Sequence, residues 1–90
     1  MLKIQTTNQF ERDYKRITRQ GKDINKLTTI MDAIAQQDYL DKRYRDHKLK
    51  GDYIGYRECH IEPDWLLIYR IDQNDKTVIF VRTGSHSELF

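Results

Sequence analysis

The sequence predicts an α+β domain: a small, mostly antiparallel β-sheet with two N-terminal helices packed on one face, in the order β-α-α-β-β-β. Three observations predict it. Two early segments repeat apolar residues at helical spacing. Three later runs, rich in Tyr, Ile, Leu and Val, are separated by turn residues. Neither helical stripe is long enough to be stable alone, so both need a sheet to lie on.

The elements follow in order. Leu2, Ile4 and Thr6 alternate, which predicts a short first strand over 2–6. Thr7 or Asn8 can cap the first helix, whose stripe is Phe10, Tyr14 and Ile17. Gly21 breaks that pattern. A second helix starts near Asp23, carries Ile24, Leu27, Ile30, Met31 and Ile34, and fades by Gln37. Residues 38–52 read as a polar, basic loop. Strands are expected over roughly 53–61, 65–72 and 77–83, the last two joined by a turn rich in Asp and Asn from Asp72 to Lys76. The residues TGSHSELF end the chain as a tail. The second face of the sheet is expected to stay open.

Ninety residues make one domain, 1–90, with room only for a surface site or a shallow groove. No apolar run approaches the roughly 20 residues of a membrane span, and the N-terminus lacks the apolar stretch of a signal peptide. The single cysteine, Cys59, forms no disulfide within the chain, which fits a reducing cytoplasm. The net charge of +2 is unevenly spread. Residues 1–45 hold ten Lys and Arg against six Asp and Glu; residues 46–90 hold six against eight. A polyanion would therefore meet the first half of the chain and the loop after it. The basic residues expected to meet it are Arg12, Lys15, Arg16, Arg19 and Lys22 on the first helix, then Lys42, Arg43, Arg45, Lys48 and Lys50 in the loop.

The stretch CHIEPDWLLIYR poses the functional question, because it crowds a His, two carboxylates and a Pro before the best core strand. Pro63 marks a turn, so His60 and Asp64 flank it at one end of the sheet. The last strand returns Arg82 to the same end, and His86 follows. His47 can reach the same place from the basic loop. Two titratable imidazoles, a carboxylate and a guanidinium suit metal-free RNA cleavage. A base takes the 2′-OH proton, a cation holds the phosphorane oxygens, and an acid protonates the leaving 5′-oxygen. On this reading His86 is the acid, and His60 with Asp64 handles the 2′-OH proton. Taken singly, each residue has a plainer role. Asp64 is a turn residue, Trp65 a core residue, Arg82 a surface charge, His86 a solvated terminal side chain, and the basic stripe a solvated helix face. A zinc site is not expected, since no paired Cys or His spacing is present and Cys59 and His60 point to opposite faces.

The blocks YRDHKLKGDYIGYRECHIEPDWLLIYRID and FVRTGSHSELF, with the first strand and the DINKL opening of the second helix, resemble the YafQ branch of the RelE superfamily of bacterial toxins. The resemblance covers nearly the whole chain. It implies a RelE-like fold and a ribosome-dependent mRNA endonuclease that cuts in the ribosomal A site. It implies no metal and no cofactor. It places the key positions on His47, His60, Asp64, Trp65, Arg82, His86 and Phe90. Trp65 and Phe90, with Lys48 and Lys50 of the basic loop, are expected on the substrate side. The implied partners are mRNA on the ribosome and a cognate antitoxin that wraps the toxin and through which operator DNA is bound. The alternative is a non-catalytic RNA-binding or interaction module on the same scaffold. Such a module needs Lys and Arg but has little use for His60, Asp64 and His86 at one place.

Overall fold

The computed structural model describes all 90 residues. The elements are β1 (Lys3–Thr6), α1 (Asn8–Arg19), α2 (Ile24–Ala35), β2 (His47–Lys48), β3 (Arg57–Glu62), β4 (Trp65–Asp72), β5 (Thr77–Gly84) and α3 (His86–Leu89). Single turns of 3₁₀ helix at Lys42–Tyr44 and Gly51–Tyr53 flank β2. The strands form one sheet in the order β1-β5-β4-β3-β2, with β1 parallel to β5 and every other pair antiparallel. No helix is long and apolar enough to cross a membrane.

The helices start and stop where their caps allow. Thr7 accepts the Phe10 amide and Asp23 accepts the Asn25 amide. The turn between β4 and β5 is held by Asp72, whose side chain accepts the amides of Asn74 and Asp75. Phe10, Ile17, Leu27, Ile30 and Ile34 from the helices meet Cys59, Ile61, Trp65, Leu67, Tyr69, Val78 and Phe80 from the sheet. Each fully buried aliphatic side chain there contributes about 1.5–3 kcal/mol. Burial also pushes the Cys59 thiol up to about 12, so it packs as an inert apolar group.

Four expectations need correction. The last two strands fall close to their expected ranges, but β3 starts at Arg57 and not at residue 53. The polar loop contains β2, a two-residue strand too short to show any alternation. The tail forms the short helix α3, with a capping box between Ser85 and Glu88. That helix also means the second sheet face is not fully open. Leu66, Ile68 and Leu89 make a second small core on it, with Leu49, Tyr56 and Val81 packed around them.

The edge of β5 is finished in an unusual way. β1 stops opposite Phe80. Beyond it, residues of the α1 segment take the place of a neighbouring strand. The Thr7 amide and hydroxyl donate to the carbonyls of Phe80 and Val81. Asp13 accepts the Thr83 amide, and Arg16 donates to the Thr83 carbonyl. α1 is thereby locked to the strand that carries Arg82.

Candidate active site on the second sheet face

Strand register builds the site. Arg82 stands opposite Ile68, Ile68 opposite Glu58, and Glu58 opposite His47. Paired residues share a face, so Arg82, Glu58 and His47 form one row across four strands, spanning about 14 Å. In the next row Gly84 is opposite Leu66, and Leu66 opposite His60. The turn carrying Asp64 and the start of α3 then close the end of the face. All three histidines of the chain converge here. The ring centroids of His47 and His60 are 6.4 Å apart, and those of His60 and His86 5.7 Å apart.

The partnerships differ from the expected ones. Asp64 serves His86 and not His60. Its Oδ1 accepts both the backbone amide of His86, at 3.0 Å, and the ring Nδ1, at 2.9 Å. Those two hydrogen bonds, the backbone one first, hold the Asp64 carboxyl below its ordinary value. With Nδ1 donating to Asp64, Nε2 of His86 is the nitrogen left to face a substrate. His60 instead lies 3.2 Å from Glu58 through Nε2, and its Nδ1 is 3.3 Å from the Pro63 carbonyl. Both ring nitrogens therefore lie against oxygen acceptors, one of them the buried Glu58 carboxylate. Glu58 is the functional candidate that the sequence reading passed over. Its signal was present, since residues two apart on a strand share a face.

Arg82 is paired as well. Its Nε and Nη2 donate to the two oxygens of Asp13, at 2.9 and 3.0 Å, while Nη1 has no protein partner. The side chain keeps 24% exposure. Arg16, expected on the docking surface, turns inward. It donates to Asp13 and to the Thr83 carbonyl, and its Nε lies 3.0 Å from Glu88. A Cβ at Gly84 would stand 2.6 Å from Arg16 Nη2, so that glycine makes room for the guanidinium. Trp65 is also corrected. It is 1% exposed, and its indole N–H donates to the Thr83 hydroxyl. It is core and offers no face to a base. Phe90 is 59% exposed, with its ring edge-on to Tyr53 at 5.5 Å, and so has a free face.

His47, Lys48 and Lys50 are exposed. The loop bearing them is pinned by Asp46, which accepts from Arg57 and from the Tyr69 hydroxyl. The remaining basic residues fall into two groups and not one continuous face. Arg12, Lys15 and Arg19 are exposed on α1, beside β5. Lys42, Arg43 and Arg45 are exposed in the turn beside β3. The site lies between them. Lys22 belongs with the first group, its Nζ 5.4 Å from the Trp65 ring centroid. Glu58, His60 and His86 also offer ligand atoms within 4.8 Å of one another. Two imidazoles and a carboxylate are a donor set suited to Zn²⁺ or Cu²⁺. Linear spacing could not reveal this set, because sheet register assembles it.

A two-helix layer on a five-stranded sheet, with a histidine–carboxylate–arginine cluster on the second face, defines a RelE-like toxin domain. Residues 2–90 match the family described as the bacterial toxin of type II toxin–antitoxin system, YafQ, and the chain belongs to that family. It is 41% identical over 88 residues to the mRNA interferase toxin YafQ of Escherichia coli K12, covering 97% of this chain and 94% of that one. Among solved structures, a metal-bound toxin from Helicobacter pylori superposes with a TM-score of 0.95 at 42% identity, covering all of both chains. YafQ in the Escherichia coli DinJ–YafQ complex superposes with a TM-score of 0.89 at 41% identity, covering all of this chain and 99% of that one.

Proposed function

We propose that this chain is a ribosome-dependent mRNA endonuclease that cuts the message in the A site by acid–base attack of the 2′-OH. The observation that carries the reading is the convergence of His47, His60 and His86 with Arg82 on one sheet face. In this mechanism the 2′-OH proton passes to the His60–Glu58 pair as the 2′-oxygen attacks phosphorus. Arg82 offers the Nη1 side of its guanidinium to the phosphorane oxygens. His86, oriented by Asp64, gives its Nε2 proton to the departing 5′-oxygen. Phe90 stacks a base, and His47 and Lys50 line the far side of the strand path; Lys48, expected there too, pairs with Arg57 and so faces the other side of the sheet. Support comes also from the mRNA interferase name of the Escherichia coli relative. The test is cleavage of a defined message with and without ribosomes. Cutting is expected only on the ribosome, whereas the alternative, a non-catalytic binding module, predicts association without cutting.

Docking falls to the two basic groups that flank the site, without Arg16. Reversing Arg12, Lys15 and Arg19 to Glu is expected to weaken ribosome binding with little change in melting temperature. Wild-type affinity should fall steeply with salt, as counterion release requires. Ribosome affinity that ignored both salt and charge reversal would remove this assignment.

A cognate antitoxin is the expected protein partner, as DinJ is in the Escherichia coli complex. An acidic segment that folds on binding would suit the basic docking residues. The Helicobacter pylori relatives include metal-bound and copper-bound structures. In this chain a cation held by Glu58, His60 and His86 would occupy both histidines that the mechanism needs. Added Cu²⁺ is therefore expected to slow cleavage, and stimulation by it would contradict the assignment.

A further inference from the structure

The mechanism leaves one buried charge unexplained. Asp13 is 0% exposed and lies on the apolar face of α1, between Phe10 and Ile17. Packing alone would place an aliphatic residue there, since burying a carboxylate is costly unless it is paired and hydrogen-bonded. Here it is fully satisfied. Oδ2 accepts from Arg82 Nε and the Thr83 amide; Oδ1 accepts from Arg82 Nη2, Arg16 Nη1 and Gln9 Nε2. Burial would raise its carboxyl, but these hydrogen bonds, with Arg82 the largest, outweigh it and hold the group below its ordinary value.

Two features indicate that the pairing aims Arg82. A guanidinium has two edges that can grip an oxyanion, Nε with Nη2 and Nη1 with Nη2. Asp13 takes the first and leaves the second. Arg16 is paired with Glu88 as well, so the charges of the cluster balance, and what the pairing leaves for a phosphate is the free Nη1 side of Arg82. Independently, β5 shifts register at this point. Tyr69 pairs with Phe80 but Ile68 pairs with Arg82, which leaves Val81 as a bulge. Bulges of this kind re-aim the side chain that follows.

We infer that Asp13 is the positioning residue of Arg82, fixing the guanidinium plane so that its free edge meets the scissile phosphate. The inference rests on the proposed clamp role of Arg82. Preorganisation of this sort removes the ordering cost at the moment of reaction, and a misplacement of about 1 Å can cost on the order of 10²-fold in rate.

The test is a double-mutant cycle read as single-turnover cleavage on ribosome-bound message, with ribosome affinity measured separately. Asp13→Asn keeps the shape and removes the charge. Alone it is expected to lower the cleavage rate by about 10- to 100-fold at unchanged ribosome affinity. In an Arg82→Ala background the same substitution is expected to change the rate by less than about threefold, because the residue it positions is gone. Equal losses in both backgrounds would overturn the inference while leaving the clamp in place. Arg82→Ala cleaving at the wild-type rate would remove the clamp and this role of Asp13 with it. If circular dichroism shows Asp13→Asn unfolded, the cycle is run with Asp13→Glu, which keeps the charge and displaces the oxygens by one methylene; the same two outcomes decide.

Discussion

His86→Ala is expected to slow cleavage of ribosome-bound message by about 10²–10⁴-fold, the usual cost of losing a positioned acid. The fold should survive. His86 is exposed, and α3 keeps its Ser85–Glu88 capping box and its buried Leu89 without the imidazole. The geometry gives the reason for the size of the effect. Asp64 binds both the His86 amide and Nδ1, so the ring is held in one orientation with Nε2 presented. Asp64→Asn should therefore cost less than His86→Ala, because it loosens the acid without removing it. An alanine variant as fast as wild type would remove His86 from the mechanism.

The second large effect belongs to Arg82. Arg82→Lys keeps a positive charge but loses the planar fork, and one ammonium cannot serve Asp13 and a phosphate with the same geometry. A loss of about 10²-fold or more in cleavage is expected, in line with removing one preorganised donor to a developing oxyanion. Circular dichroism and melting should show a folded protein. Arg16, Thr83 and Gln9 still satisfy Asp13, so the carboxylate is not abandoned in the core. An Arg82→Lys protein that was unfolded would identify Arg82 as structural and contradict the clamp.

Much of this architecture was written in patterns that local chemistry enforces. The stripe Phe10, Tyr14, Ile17 could only be a helix lying on apolar surface, and the run from Trp65 to Ile71 could only be a buried strand. The gathering of His60, Asp64, Arg82 and His86 followed from strand order and one hairpin. What escaped was set by register and by partners distant in sequence. Glu58 matters because it shares a face with His60, and its burial against that imidazole is set by sheet register. Asp13 sits at helical spacing within an apolar stripe, an anomaly that becomes legible only when Arg82 arrives from 69 residues away. Arg16 looked like one more member of a basic face, yet it spends its charge inside. β2 is two residues long, below the length at which alternation carries any signal. The S-H-S-E run from Ser85 to Glu88 did carry a capping-box signature, and α3 could have been read from it.

The central claim is that side chains alone activate the 2′-OH of a message on the ribosome, and product chemistry tests it most directly. Ribosomes programmed with a defined message would be treated with the protein and the fragment ends identified by mass spectrometry. Attack by the 2′-oxygen predicts an upstream fragment ending in a 2′,3′-cyclic phosphate or a 3′-phosphate, with a 5′-hydroxyl on the downstream fragment. An upstream 3′-hydroxyl with a downstream 5′-phosphate would mean that water attacked, and would contradict the mechanism built on His60, Arg82 and His86.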